Sequence, residues 1–190
     1  MKRRYDIQKI LTGCLNEEPR FQRALVDQYS GLLYAICCRY LRQKEEARDI
    51  LQESLLRIFQ NLDKYDKAKG SFEAWTTTVV IRLCLNKLSK KKLDLVSDEE
   101  MLSRQASYEI ESDILSNYDM EQLTKFVTEL PESYRVVFNL SAIDGYAHKE
   151  IAKLIGITEV ASRTRLNRAK NILKDRITRL IKTESWVDTI

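Results

Sequence analysis

Glycine, proline and histidine are scarce in this chain: five, two and one among 190 residues. So few breakers, together with little strand-type alternation, lead us to expect an all-α protein. One histidine, few glycines and the lack of any phosphate-binding loop or nucleophile constellation weigh against a hydrolase or transferase. Ligand spacing of the Cys-x-x-Cys or Cys/His kind is missing too. Cys14, Cys37, Cys38 and Cys84 therefore read as reduced thiols of a cytoplasmic protein that carries neither metal nor cofactor. Cys37 and Cys38, neighbours on a helix, point about 100° apart, which favours packing over a shared redox role. The apolar runs LLYAICC and VVIRLCL fall far short of the ~20 residues that cross a bilayer. No membrane insertion is expected.

Charge is abundant but uneven. The formal total is only +4, from 32 basic and 28 acidic residues. Between Leu93 and Glu121, however, nine acids stand against one base, Arg104, so the remainder of the chain is strongly basic. That imbalance marks residues 93–118 as a linker between two units, 1–92 and 119–190.

In the first unit, apolar residues recur at helical spacing from Phe21 to Leu41, and again from Glu45 to Leu62. A polar loop, KYDKAKGS, follows, with Ser71 placed to cap a third helix from Phe72 to about Lys92 that packs Trp75, Val79, Leu83 and Leu88. In the second unit a short helix, EQLTKFVTEL, precedes Pro131, which starts another because proline is tolerated in a first turn. Asp144-Gly145 signals a turn.

Beyond that turn lies GYAHKEIAKLIGITEVASRTRLNRAKNIL. Ala152 permits close helix approach, Gly156 can take the positive φ of a tight turn, and Thr158 stands where an N-cap belongs. At 100° per residue, Ser162, Leu166, Ala169, Leu173, Ile177 and Leu180 share an inner side. Opposite them lie Val160, Ala161, Thr164, Asn167 and Arg168. This is the pattern of a helix-turn-helix whose second helix, from Glu159 to about Lys174, enters a major groove. Thr164, Asn167 and Arg168 can reach base edges there, while Arg163 and Arg165 flank them beside phosphates. A solvated basic helix is the plainer alternative. The lone His148 reads as a surface residue, and the Ser162 hydroxyl as one that bonds back to a helix carbonyl.

With these residues in place the chain resembles the extracytoplasmic-function (ECF) sigma factors, the small specificity subunits of bacterial RNA polymerase. The stretch from Phe21 to Trp75, with the D-x-x-Q-E signature at Asp49, Gln52 and Glu53, is similar to the family's second sigma domain. LPESYRVVFNLSAIDGYAHKEIAKLIGITEVASRTRLNRAKNIL is similar to its fourth. Two dissimilar signatures in the right order are far more specific than one helix-turn-helix.

The resemblance implies a chain that is not an enzyme, has no small-molecule substrate, and partners core RNA polymerase, promoter DNA and an anti-sigma factor. It implies that Asp49, Gln52, Glu53, Leu56 and Gln60 dock on the polymerase, with Leu56 as an apolar anchor among polar neighbours. It further implies that Tyr65, Asp66, Lys67 and Lys69 capture a base flipped from the −10 element, and that Arg82, Lys87 and Lys90 to Lys92 lie along phosphates. Thr158, Glu159, Val160, Ala161, Arg163, Thr164, Arg165, Asn167 and Arg168 would serve the −35 element. The acidic linker would thread through the polymerase, mimicking nucleic acid against basic walls.

The chain departs from the family in three places. TTTVVI follows Trp75 where a basic or polar pair is common, Ala147 stands where a serine often caps, and Ser162 replaces an apolar residue. Two further classes stay open from the residues alone. A stand-alone helix-turn-helix regulator would footprint DNA without polymerase, and a helical adaptor would bind protein only.

Overall fold

A computed structural model describes residues 6–94 and 120–187. Among the described residues there are helices and turns and no strand. Two compact units result, residues 1–96 and 97–190. The acidic segment, from residue 95 to Asp119, lies outside the described residues, as do the side chains of Lys90, Lys91 and Lys92.

The first unit holds α1 (Ile7–Leu15), α2 (Pro19–Tyr40), α3 (Lys44–Gln60) and α4 (Phe72–Asp94). The sequence reading does not anticipate the first of these. It ends in a reverse turn in which Glu18 N–H donates to Gly13 O at 2.9 Å and Glu17 takes φ 57°, an uncommon value for a residue with a side chain. The turn folds α1 back on α2 so closely that a Cβ on Gly13 would lie 1.9 Å from the Phe21 ring. Gly13 is thus small for reasons of space, in a helix interior where glycine is otherwise unfavourable.

The core of this unit joins Leu25, Leu33 and Ile36 of α2 to Ile50 and Ile58 of α3 and to Val80, Ile81 and Leu88 of α4, all buried. Two hydroxyls are buried with them at no loss of hydrogen bonding. Ser54 donates to Ile50 O at 2.6 Å and Thr76 to Glu73 O at 3.0 Å. The expected stripe on α4 is shifted. Val80, Ile81, Cys84 and Leu85 are buried along with Leu83 and Leu88, whereas Trp75 and Val79 are only half-buried. Helix α4 is apolar over most of its circumference between residues 79 and 85, so periodicity alone could not choose its inner side. Cys37 and Cys84 meet in this core. The neighbouring Cys37 thiol and burial together push the Cys84 thiol far above its ordinary range.

The second unit holds α5 (Met120–Thr128), α6 (Glu132–Phe138), α7 (His148–Ile155) and α8 (Glu159–Val187). Leu130, Ala169 and Leu173 form its buried centre, with Phe126, Val127, Tyr134, Phe138 and Ile172 packed around them. Pro131 sits just before α6, with φ −50° and ψ 140°. Behind it Arg135 is buried yet bonded, donating from Nη1 to Thr128 O at 3.0 Å and Leu130 O at 3.2 Å, so it closes the C-terminal end of α5. The helix expected to run through ESYRVVFNLSAI widens into a π turn over Asn139–Ile143, where Asp144 N–H reaches Asn139 O at 2.9 Å. The second helix of the helix-turn-helix does not stop near Lys174. It continues to Val187, since no glycine or proline interrupts the chain there.

Candidate polymerase and nucleic-acid interfaces

The turn between α7 and α8 forms as the sequence anticipates. Gly156 takes φ 70° and ψ 37°, and Ile157 N–H donates to Ala152 O at 3.1 Å. Nothing lies within 4 Å of where its Cβ would stand, so glycine is needed for backbone conformation and not for room. Thr158 Oγ1 then accepts from Ala161 N–H at 3.1 Å, capping α8. At the start of α7 only half of a capping box is made. Ala147 has no side-chain oxygen, but its N–H donates to the Glu150 carboxylate at 2.8 Å.

Two expectations about the inner side need correcting. His148 is not a plain surface residue, because it is partly buried with Nδ1 2.9 Å from Ser162 Oγ. Ser162, fully buried, uses its hydroxyl across the helix pair instead of on its own helix. The single histidine thus partners the polar residue that stands at an inner position of α8. Together with buried Ile151 and Leu166, this bond holds α7 against α8. A polar residue on an inner face is a signal that a partner must exist, yet nothing in the spacing says which one.

The outer side of α8 carries Val160, 73% exposed, with Thr164, Asn167 and Arg168 also exposed and Ala161 half-buried. Thr164 Oγ1 donates to Val160 O at 3.0 Å, which keeps its methyl group on display. Arg163 pairs with Glu159 one turn back, an exposed contact of small energetic weight. Arg165 is half-buried. Arg168 Nη1 donates to the Tyr134 hydroxyl at 3.2 Å.

On α3, Asp49, Gln52, Glu53, Leu56 and Gln60 are all exposed, and Leu56 is 62% accessible. Glu53 holds Arg57 at 3.1 Å. The α3–α4 connection is two short 3₁₀ turns, Leu62–Lys64 and Lys67–Lys69. Asp66 caps the second, accepting from Ala68 N–H at 2.9 Å, and lies 3.7 Å from Lys69 Nζ. Ser71 Oγ accepts from Ala74 N–H at 3.1 Å, as expected of a cap. Tyr65, one of the expected base-capture residues, is half-buried, with its hydroxyl donating to Gly70 O at 3.1 Å. Its ring meets Phe72 edge-on with centroids 5.2 Å apart and Trp75 at 5.7 Å. Tyr29 completes this aromatic cluster against Phe72 at 5.2 Å. Tyr65 and Trp75 therefore form a wall at the base of the loop, while Asp66, Lys67 and Lys69 stand exposed above it. Arg82 is exposed and Lys87 half-buried on α4. Among the described residues no group of histidine, cysteine or acidic side chains could hold a metal. No described helix is long and apolar enough to cross a membrane.

The family models for Sigma-70 region 2 and Sigma-70 region 4 match residues 25–93 and 120–173, together well over half of the chain. The chain belongs to the ECF sigma factors. Relatives include the ECF RNA polymerase sigma factor SigW of Bacillus subtilis, 26% identical over 163 residues that cover 80% of this chain and 87% of SigW. SigM of the same organism is 23% identical over 150 residues, covering 79% of this chain and 91% of SigM. Among solved structures, the sigma factor RpoE of Bartonella quintana, crystallised with the anti-sigma factor NepR, superposes with a TM-score of 0.51 at 15% identity. That superposition covers 83% of this chain and 96% of RpoE, and it speaks for the fold. As an ECF sigma factor the chain is a transcription initiation factor, which binds core RNA polymerase and directs it to promoters. The region 2 match contains the α3 face and the aromatic loop, and the region 4 match contains α7, the Gly156 turn and the first half of α8. Helix α1 precedes the first match, and α8 runs on beyond the second.

Proposed function

We propose that this sigma factor divides its work between two outward faces, with residues 1–92 binding core polymerase and the −10 region, 93–118 linking, and 119–190 binding the −35 element. On α3, Leu56 enters an apolar site on core polymerase while Asp49 and Glu53 meet basic side chains and Gln52 and Gln60 hydrogen-bond at the rim. In the loop after α3, Asp66, Lys67 and Lys69 take the edge and phosphate of a flipped −10 base, with Tyr65 supplying the wall against which it rests. Arg82, Lys87 and Lys90 follow the adjoining phosphates.

The first half of α8 reads the −35 element. Val160 and Ala161 touch thymine methyls, Thr164 and Asn167 reach base edges, and Arg168 is suited to a guanine. Arg163 and Arg165 lie beside phosphates, and Thr158 and Glu159 open the helix next to them. The protein works in the cytoplasm without catalytic chemistry of its own, and an anti-sigma factor restrains it.

The observation that carries this reading is the joint occurrence of a 62%-exposed leucine among acidic and amide side chains on α3 and an αL-glycine helix-turn-helix with a basic outer face. Footprinting tests it. With core polymerase the chain should protect both promoter elements, and alone it should protect neither at the same concentration. Protection by the chain alone, as a dimer on a palindrome, would make it a self-sufficient regulator instead.

A further inference from the structure

Arg163 and Arg168 stand on the same helix but are held in different ways. Arg163 is paired with Glu159 one turn away on α8 itself, so its position reports only on that helix. Arg168 is held from another helix. Tyr134 lies on α6 with its ring packed on the buried centre made by Leu130, Ala169 and Leu173. Its hydroxyl emerges at the surface and accepts from Arg168 Nη1 at 3.2 Å, across 34 residues of sequence.

From this geometry we infer that Tyr134 is a specificity-determining positioning residue, whose hydroxyl fixes the Arg168 guanidinium for recognition of a guanine in the −35 element. The inference rests on the assignment of Arg168 to base readout made above. A guanidinium carries five N–H donors in a planar fork, and bidentate recognition of guanine O6 and N7 needs two of them on one edge. The Tyr134 bond occupies one Nη1 hydrogen and leaves Nη2 and Nε to supply that edge. Arginine is rich in rotamers, and an exposed one must be ordered when it binds. A guanidinium already anchored to a ring that is itself locked in a core arrives with part of that ordering done. Tyr134 touches no base in this arrangement. It acts through Arg168 and ties the position of the base reader to the packing of α6 on α8.

The test uses the full chain with core polymerase, selecting from a promoter pool randomised over the −35 element. Arg168→Ala should erase a guanine preference at one base pair. Tyr134→Phe keeps the ring and removes only the oxygen. It should weaken the same preference roughly three- to tenfold, the range of one ordinary hydrogen bond, with the other positions and the thermal midpoint unchanged. The double variant should match Arg168→Ala alone. Arg168→Lys, which keeps charge but loses the fork, should lose the preference and be indifferent to Tyr134→Phe.

The inference is overturned if Tyr134→Phe leaves the preference intact, sharpens it, lowers all promoters alike, or adds to the effect of Arg168→Ala. If Arg168→Ala itself moves no base preference, the assignment of Arg168 to readout fails first and takes the role of Tyr134 with it.

Discussion

Leu56 on α3 and Val160 on α8 are both large apolar residues left mostly bare, at 62% and 73% exposure, yet their surroundings are opposite. Leu56 sits among Asp49, Gln52, Glu53 and Gln60, a face that repels phosphate and leaves an aliphatic knob for a protein pocket. Val160 sits one or two turns from Thr164, Asn167 and Arg168, where phosphate is welcome and a small branched side chain can meet a thymine methyl. Exposure alone does not separate the two residues, and on the proposed reading it is the sign of the neighbouring charge that assigns Leu56 to a protein partner and Val160 to DNA. The two faces also differ in how their side chains are held. Arg168 is braced by Tyr134, while on α3 the braced pair, Glu53 with Arg57, lies within one helix.

The contrast breaks most sharply at Leu56. Leu56→Arg should weaken core polymerase binding by about 2 kcal/mol or more, roughly thirtyfold, as truncation of a central anchor does. The fold should be unaffected at so exposed a site, and a pull-down titration with a parallel thermal melt checks both. On the other face the expected losses divide by type. Arg168→Ala should cost about 1 to 3 kcal/mol at one base pair, whereas Arg163→Ala should weaken all promoters alike and lower the salt slope by about one. Identical behaviour of the two across a promoter library would undo that division.

Two glycines sharpen the comparison within the scaffold. Gly13→Ala should destabilise the first unit by about 1 to 3 kcal/mol, because the new methyl meets the Phe21 ring. Gly156→Ala should cost the second unit about 1 kcal/mol through backbone strain alone, and should tilt the recognition helix, so it lowers −35 binding as well. Chemical denaturation resolved by probes in each unit separates the effects.

The smallest effect concerns pH and the first unit alone, since all four cysteines lie there. The folded chain holds the Cys84 proton more tightly than the unfolded chain, whose thiols titrate near the ordinary value of 9.0. The stability due to that proton is therefore whole below the unfolded value and is lost as pH rises past it. The loss is on the order of 1 kcal/mol or less between pH 8 and 9.5. Cys84→Ala should flatten that slope in denaturation measured across the range.

Much of this architecture is legible in the residues themselves. Gly156, Thr158 and Ser71 act as their residue types predict, because turns and caps are local and their chemistry is written in one or two side chains. The inner stripe of α8 is also plain, since Leu166, Ala169 and Leu173 recur at helical spacing and are buried. Less can be read where a helix is apolar on several sides, as α4 is around VVIRLCL, or where a polar group is buried. Nothing in the apolar spacing marks Ser54, Thr76 and Arg135 as buried, and their burial depends on carbonyls that only the folded backbone presents. The His148–Ser162 and Tyr134–Arg168 pairs span 14 and 34 residues, and no periodicity links their members. At the candidate sites, then, sequence patterns identify most of the residues that face outward, while Tyr65, Lys87, Ala161 and Arg165 prove half-buried. The contacts that brace them, including the aromatic wall of Tyr65, Phe72 and Trp75, come from tertiary packing.

The most direct test of the two-face account is transcription in vitro with core polymerase on a pool of promoters randomised over both elements, comparing wild type, Leu56→Arg and Arg168→Ala. The account predicts that Leu56→Arg lowers output from every promoter without changing the preferred sequences. Arg168→Ala should lower output only from promoters that carry the preferred base pair, shifting the −35 consensus at that one position. A changed consensus with Leu56→Arg, or a uniform loss with Arg168→Ala, would contradict it.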